Sequence, residues 1–209
     1  MSAPDFSVEI FHNEFLPAGA REVNAIVTVT SAGDVASEQP AAAGAAEIII
    51  VDCSGSMAAP ITKLIQAREA TAVAIDAIRD GVAFALIAGS NVATPFFPKD
   101  GSLAVASPST RDAAKGELRR LRANGGTAMG QWLHLARHLF LRREDSLRHA
   151  ILLTDGRNEH ESAEDLAVAI RMSEGVFRCD CRGVGTDWKV DELRKISTEK
   201  SGALIDVGS

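Results

Sequence analysis

Little in this 209-residue chain marks it for a membrane, a disulfide scaffold or a nucleic acid. No uninterrupted apolar stretch reaches the roughly 18 residues that a membrane-spanning helix needs, so no membrane partner is expected. No charged segment followed by an apolar run stands at its start, so no signal peptide is expected. Three cysteines are an odd number for a disulfide framework, and a reduced, cytoplasmic setting is the expectation. Basic residues are outnumbered, with 22 Lys and Arg against 28 Asp and Glu and a net charge of −6, which argues against non-specific contact with phosphate backbones. The local basic clusters, Arg119-Arg120 with Arg122 and Arg142-Arg143, read as solvated helix faces. There is no glycine-rich phosphate loop ending in Lys-Ser/Thr, no GxGxxG and no GxSxG.

What is present is an alternation of textures. Phe6, Val8 and Ile10 alternate with Ser7 and Glu9, and residues 22–30 alternate again, so residues 6–11 and 22–30 read as half-buried strands joined around Pro17-Ala18-Gly19. Ser31 to Ala46 is small, Ala/Gly-rich and flexible in character. The chain divides accordingly into an N-terminal strand pair (1–33), a linker (34–46) and a main domain (47–209). In the main domain Ile48–Val51 is a short, solid apolar run of the kind buried on both faces of a sheet. Pro60 suits a first helical position, and Ile61, Leu64, Ile65, Arg68, Ala72, Ile75 and Arg79 follow helical spacing.

Strands are then expected at 82–88, 91–97, 147–154, 176–184 and 203–207. Helices are expected at 110–121, 130–141, 163–172 and 190–198, with 98–108 as loop. Trp132, Leu135, Ala136 and Leu139 mark the core stripe of the second of these helices. The order predicts an α/β domain: a doubly wound, mainly parallel six-stranded sheet with helices on both faces, preceded by a hairpin-like segment. Open sheets of this kind bind ligands at the carboxyl ends of their strands.

Three of those strand ends carry oxygen-bearing side chains of one kind. Asp52-Cys53-Ser54-Gly55-Ser56 leaves the first apolar strand, Gly126-Thr127 precedes a helix, and Thr154-Asp155-Gly156 ends a later strand. Asp52 and Asp155 can balance a divalent cation, and Ser54, Ser56 and Thr127 supply neutral oxygens. Such hard donors suit Mg²⁺ or Mn²⁺, and Ca²⁺ less well; they are poor for zinc or copper. Five side chains leave one octahedral vertex open to an anionic oxygen from outside. On a single loop these residues would pass for ordinary turn and cap chemistry; agreement among three loops points to a metal site.

Asp52-Cys53-Ser54-Gly55-Ser56, Gly126-Thr127 and Thr154-Asp155-Gly156 resemble the DxSxS…T…D pattern of von Willebrand factor A domains, in the bacterial intracellular form, over about residues 46 to 207. In that family the pattern is the metal-ion-dependent adhesion site, or MIDAS. The resemblance implies direct ligation by Ser54 and Ser56, direct or water-mediated ligation by Thr127, and mainly water-mediated roles for Asp52 and Asp155. It also implies one antiparallel edge strand, which 91–97 can supply, and a closing helix that this sequence lacks. Some bacterial relatives insert the domain into a β-sandwich, and residues 6–30 resemble the early strands of one. The strand pair is then expected to pair with the main sheet, with further sequence or with another chain, such as a second copy.

The function expected is a non-enzymatic, metal-dependent protein-interaction module that binds a partner's Asp or Glu, with Gly126, Arg157, Asn158 and His160 on the partner-binding rim. Two alternatives compete. One is a Mg²⁺-dependent phosphohydrolase with Asp52 as nucleophile; against it, Ser54 stands where a second Asp is needed, and no lysine is evidently placed to hold a phosphate. The other is a subunit of an ATP-driven, chelatase-like complex whose motor is another chain. His134 and His138 lack the interposed acid of an HExxH arrangement and read as surface residues. Cys179 and Cys181 read as small residues on one face of a strand.

Overall fold

The computed structural model describes residues 5–12, 25–32, 44–143, 147–156, 158–185, 189–199, 202 and 204–207. They fall into two compact units, Met1–Ala41 and Ala42–Ser209. In the first, β1 (Asp5–His12) and β2 (Ala25–Ala32) pair antiparallel with Asp5 opposite Ala32. The predicted hairpin is present; Val8 and Ile10, expected on its buried face, are 59% and 60% exposed. Most of the predicted linker lies outside the described residues; its last two, Ala45 and Ala46, already belong to β3.

The second unit is a doubly wound sheet of β3 (Ala45–Asp52), β4 (Ala83–Gly89), β5 (Ala93–Phe97), β7 (Leu147–Thr154), β8 (Arg178–Val184) and β9 (Leu204–Val207), in the order β5-β4-β3-β7-β8-β9. All neighbours are parallel except β5, the antiparallel edge predicted from the sequence. One piece was missed: β6 (Ala104–Val105), inside the predicted loop, runs antiparallel to Ala83 and Phe84 at the start of β4.

Side-chain alternation divides the core between two faces. Ile48 and Ile50 of β3 join Ala85, Ile87, Ala150, Leu152, Cys179 and Cys181 beneath α3 (Met129–Phe140), α4 (Ala163–Ser173) and α5 (Val190–Glu199). Ile49 and Val51 join Phe84, Leu86, Leu153 and Val184 beneath α1 (Thr62–Ala77) and α2 (Pro108–Leu118). Cys179 and Cys181 share a face, as predicted, and both are fully buried. The Cys181 thiol is raised well above its usual range, first by its hydrogen bond with Cys179 and then by burial, so Cys181 does not suit thiolate chemistry.

Two helix starts differ from expectation. α2 begins at Pro108, two residues early, because Ser107 caps it: its hydroxyl accepts the Thr110 N–H at 3.2 Å, and its own N–H donates to Thr110 Oγ1 at 2.8 Å. α1 begins at Thr62, with Pro60 in the bend before it. Its buried stripe is also rotated from the predicted one. Lys63, Leu64, Ala67, Thr71 and Ile75 face inward, whereas Ile61 and Ile65 are exposed. The α3 stripe is as predicted, with Trp132, Ala136 and Leu139 buried.

Trp132 locks α3 to the end of β4. Its Nε1–H donates to the Ser90 carbonyl at 2.6 Å, and its ring lies so close to Gly89 that a Cβ there would come within 2.5 Å of it. Gly89 is therefore required by packing. Gly89→Ala is expected to cost about 1–3 kcal/mol by overpacking, read as a lower urea midpoint with unchanged slope.

At the amino-terminal ends of the central strands, half-buried His149 bridges its neighbours, with Nδ1 2.8 Å from Glu47 and Nε2 3.3 Å from Asp180. Glu47 first, and Asp180 after it, raise the His149 pKa above its ordinary 6.5. The folded state then binds this proton more tightly than the unfolded chain. The contribution is full below about pH 6.5 and fades as pH rises through the higher folded value. His149→Asn should remove that fall, measured as the wild-type minus mutant difference in urea stability between pH 6 and pH 9.

Candidate metal centre

The strand register decides where the site forms. Val51 is paired with Leu153 and Asp52 with Gly89, so the carboxyl ends of β3, β4 and β7 stand side by side. Asp52 is fully buried there and uses both oxygens. Oδ1 accepts the Ser54 N–H at 2.7 Å, and Oδ2 accepts the Thr154 hydroxyl. Ser54 and Ser56, on the turn after β3, bring their hydroxyl oxygens to 3.0 Å of each other. Thr127 is 3% exposed, and its loop is bonded onto that turn: Gly55 N–H donates to Gly125 C=O at 2.8 Å, and Asn124 N–H to Cys53 C=O at 2.6 Å. Asp155 directly follows β7, fully buried, and its charge acts on Asp52. All five residues named as ligands from the sequence thus lie on hydrogen-bonded or adjoining segments.

Sequence reasoning missed Lys63. It lies on the first turn of α1, its side chain is 4% exposed, and its Nζ is 3.1 Å from Asp155 Oδ2. The signal was a lysine in register with Ala67, Thr71 and Ile75, on what proves to be the buried stripe. The sequence showed no lysine evidently placed to hold a phosphate; Lys63 stands beside the site, on the Asp155 carboxylate. Thr154 was also missed as a hydrogen-bond donor, although it precedes a named ligand.

The electrostatics show a shortage of positive charge. Burial, with a smaller push from Asp155, raises the Asp52 pKa from 3.8 to about 6 against the lowering effect of its hydrogen bonds. Asp155 Oδ1 is buried and has no hydrogen-bond partner among the described residues. A buried carboxylate oxygen left without a donor is costly. Two carboxylates, one of which carries this orphaned oxygen, and three hydroxyls fit a hard divalent cation. No three His, Cys, Asp or Glu side chains converge among the described residues, so the donor set stays rich in hydroxyls. Cys53, between the ligands in sequence, hydrogen-bonds to Val51 C=O at 3.2 Å, and burial pushes its thiol up to about 12.

The expected rim residues do structural work. Ala128, at the N-cap of α3, has no side chain able to cap. Asn158 Oδ1 accepts the Met129 N–H at 3.0 Å, and Glu161 accepts the Gly130 N–H at 2.8 Å, so the loop after β7 caps α3 from outside. His160 is exposed, yet its Nδ1 accepts the Thr127 N–H at 3.2 Å and its backbone N–H donates to Thr127 C=O at 2.9 Å. Gly126 is where the ring packs: a Cβ there would lie 2.2 Å from it. Arg157 lies outside the described residues. Of the other histidines noted from sequence, His138 is exposed and near Arg142, away from the ligand loops. An open cavity of about 560 Å³, lined by Ala45, Glu47, Ala74, Ile78, Leu147 and His149, lies at the opposite end of the strands and holds none of the five ligands.

A model of the von Willebrand factor type A domain matches residues 46–205. The chain belongs to that family. A solved von Willebrand factor type A protein from Catenulispora acidiphila is 48% identical, with a TM-score of 0.79; the alignment covers 99% of this chain and 46% of that one. Proximal thread matrix protein 1 from the mussel byssus, in a form with a zinc-occupied MIDAS motif, is 27% identical with a TM-score of 0.59, covering 78% of this chain and 42% of that one. An uncharacterized Synechocystis protein is 34% identical over 89 residues, 42% of this chain and 21% of its own length. The chain thus spans less than half of each of these relatives. Among the described residues no helix is long and apolar enough to cross a membrane.

The charge shortage predicts a pH dependence. Folded Asp52 holds its proton more tightly than the unfolded chain does. The stability of the metal-free protein should therefore fall as pH rises from about 4 to about 6 on this account, by on the order of 3 kcal/mol. Asp52→Asn removes the penalty. Its stability relative to wild type in EDTA should rise between pH 4 and pH 7; a flat difference would contradict the burial argument.

Proposed function

We propose that the chain is a divalent-metal-dependent protein-interaction module that captures a partner's Asp or Glu at the site of Asp52, Ser54, Ser56, Thr127 and Asp155. The observation that carries this reading is the buried, unpartnered Asp155 Oδ1 beside a second buried carboxylate whose pKa is forced upward. Domains of this family generally mediate interactions, and the mussel relative holds zinc at its own motif. For this chain we assign Mg²⁺ or Mn²⁺ on the hardness of the donors. Bound there, the ion supplies a Lewis-acidic position for an external carboxylate. The chain's own groups do the rest. Ser54 and Ser56 present paired hydroxyls, Thr154 and the Ser54 N–H orient Asp52, and His160 holds the Thr127 loop. Gly126, Asn158 and His160 form the rim a partner meets. Three buried free cysteines suit a reducing, cytoplasmic setting in a bacterial cell.

The phosphohydrolase reading gains Lys63 but loses its nucleophile. Both Asp52 oxygens are engaged and the residue is fully buried, so neither has an open line to a substrate. Nothing in the site favours the ATP-driven complex over a free-standing adaptor.

The test is thermal melting across a Mg²⁺ or Mn²⁺ titration. An ion that binds only the folded protein stabilises by about 2.7 kcal/mol at a hundredfold excess over its Kd, roughly 5–10 °C for a domain of this size. The wild type should show that saturable rise, and Asp52→Ala with Ser54→Ala should not. A wild type that calorimetry shows to bind neither ion would sink the proposal.

A further inference from the structure

The metal site carries a cation of its own. Lysine is seldom fully buried unless paired, because losing water costs an ammonium several kcal/mol. Lys63 is nonetheless buried, in register with Ala67, Thr71 and Ile75 on the inner stripe of α1, where an apolar side chain would complete the packing at no electrostatic cost. Its ammonium reaches a ligand of the proposed site, Asp155 Oδ2, at 3.1 Å. The other oxygen of the same carboxylate, Oδ1, accepts no hydrogen bond among the described residues. Asp155 is thus divided, one oxygen held by the ammonium and one left for another cation.

We propose that Lys63 is the site's resident counter-cation: it holds Asp155 in place, loosens the grip on a divalent ion, and leaves the loaded site positive enough to retain a partner's carboxylate. The inference rests on the metal-dependent reading above. Two ionised carboxylates and one ammonium carry a single negative charge between them. Adding a divalent ion makes the cluster singly positive, and one external carboxylate brings it to neutrality. Without the lysine, the two aspartates would cancel the ion, and a third carboxylate would leave a buried excess of negative charge. The same ammonium repels the metal and competes for Asp155. One residue therefore moves two affinities in opposite directions, which a purely structural lysine would not do.

The test uses the full chain at pH 8, where Asp52 is ionised, with Mn²⁺ as the metal and acetate as the carboxylate probe. Free Mn²⁺ is counted by electron paramagnetic resonance. Acetate binding is read as the loss of water-proton relaxation enhancement when it replaces a coordinated water. Lys63→Met is expected to bind Mn²⁺ about tenfold tighter or more, and acetate at least about threefold more weakly. It should also melt lower than wild type in EDTA and gain more from Mn²⁺, because the ion then supplies the missing counter-charge. Lys63→Arg, which keeps the charge, should stay close to wild type in both affinities. If Lys63→Met does not fold, Lys63→Gln, which keeps a donor without the charge, must show the same two opposite shifts. A folded, uncharged variant with unchanged or weaker Mn²⁺ binding, or with unchanged acetate binding, overturns the proposal. A wild type that binds no Mn²⁺ overturns instead the metal-dependent reading on which it rests.

Discussion

Two carboxylates at the ends of neighbouring buried strands set the terms for everything around them. Asp52 and Asp155 lie where β3 and β7 run out, both fully buried and close enough for one charge to raise the other's pKa. A low-dielectric setting makes that charge expensive, and the fold answers it piecemeal. Thr154 and the Ser54 N–H donate to Asp52, and Lys63 donates to Asp155. The answer is incomplete, since one oxygen of Asp155 has no partner among the described residues and burial still dominates at Asp52. A fold that leaves buried charge under-compensated at the mouth of its sheet is poised to gain from a cation. This is the physical content of the proposal that a metal binds there.

The surrounding loops convert that local imbalance into a fixed geometry. The turn after β3 is tied to β4 by Cys53 N–H on Gly89 C=O at 2.7 Å, and to the Thr127 loop by two further backbone bonds. The Thr127 loop is tied in turn to the segment after β7, through His160 and the two side chains that cap α3. Trp132, packed on Gly89, joins the same helix to β4. Each segment bearing a proposed ligand is therefore held by the others. A metal ligated by Ser54, Ser56 and Thr127 would pull on loops already connected, so little ordering entropy remains to be lost on binding.

The fold was legible because its strands are short apolar runs and its helices are amphipathic, and that pattern leaves few topologies open. The five proposed ligands could be named because one kind of oxygen chemistry recurred on three loops. The misses share a cause. Lys63 was passed over because the α1 pattern is nearly isotropic: Ile61, Leu64 and Ile65 suggested one face, and packing chose a face rotated from it. No periodicity argument promotes a lysine to the inner stripe when its reason for being there is a carboxylate 92 residues away in sequence. β6 is two residues long and carries no periodicity at all. Asn158 and His160 were read as rim residues because they sit in a polar loop after a ligand. That Ala128 leaves α3 uncapped, that Asn158 meets the need along with Glu161, and that His160 holds Thr127 shows only in three dimensions.

The choice of hydroxyls over further carboxylates ties these observations together. A third acidic ligand in place of Ser54 or Ser56 would bind a divalent ion more firmly, but it would also spend the ion's charge inside the protein. Two acids and three hydroxyls leave that charge less quenched, and the Lys63 ammonium on Asp155 quenches it less again. Tight retention of the metal and strong attraction for an outside carboxylate are opposed demands on the same charge, and on the proposed reading this site favours the second. A domain that used the ion only as a structural brace would gain nothing from a buried lysine on one of its ligands. For a domain that holds a partner through the ion, the cost of burying that lysine is offset when the partner's carboxylate arrives.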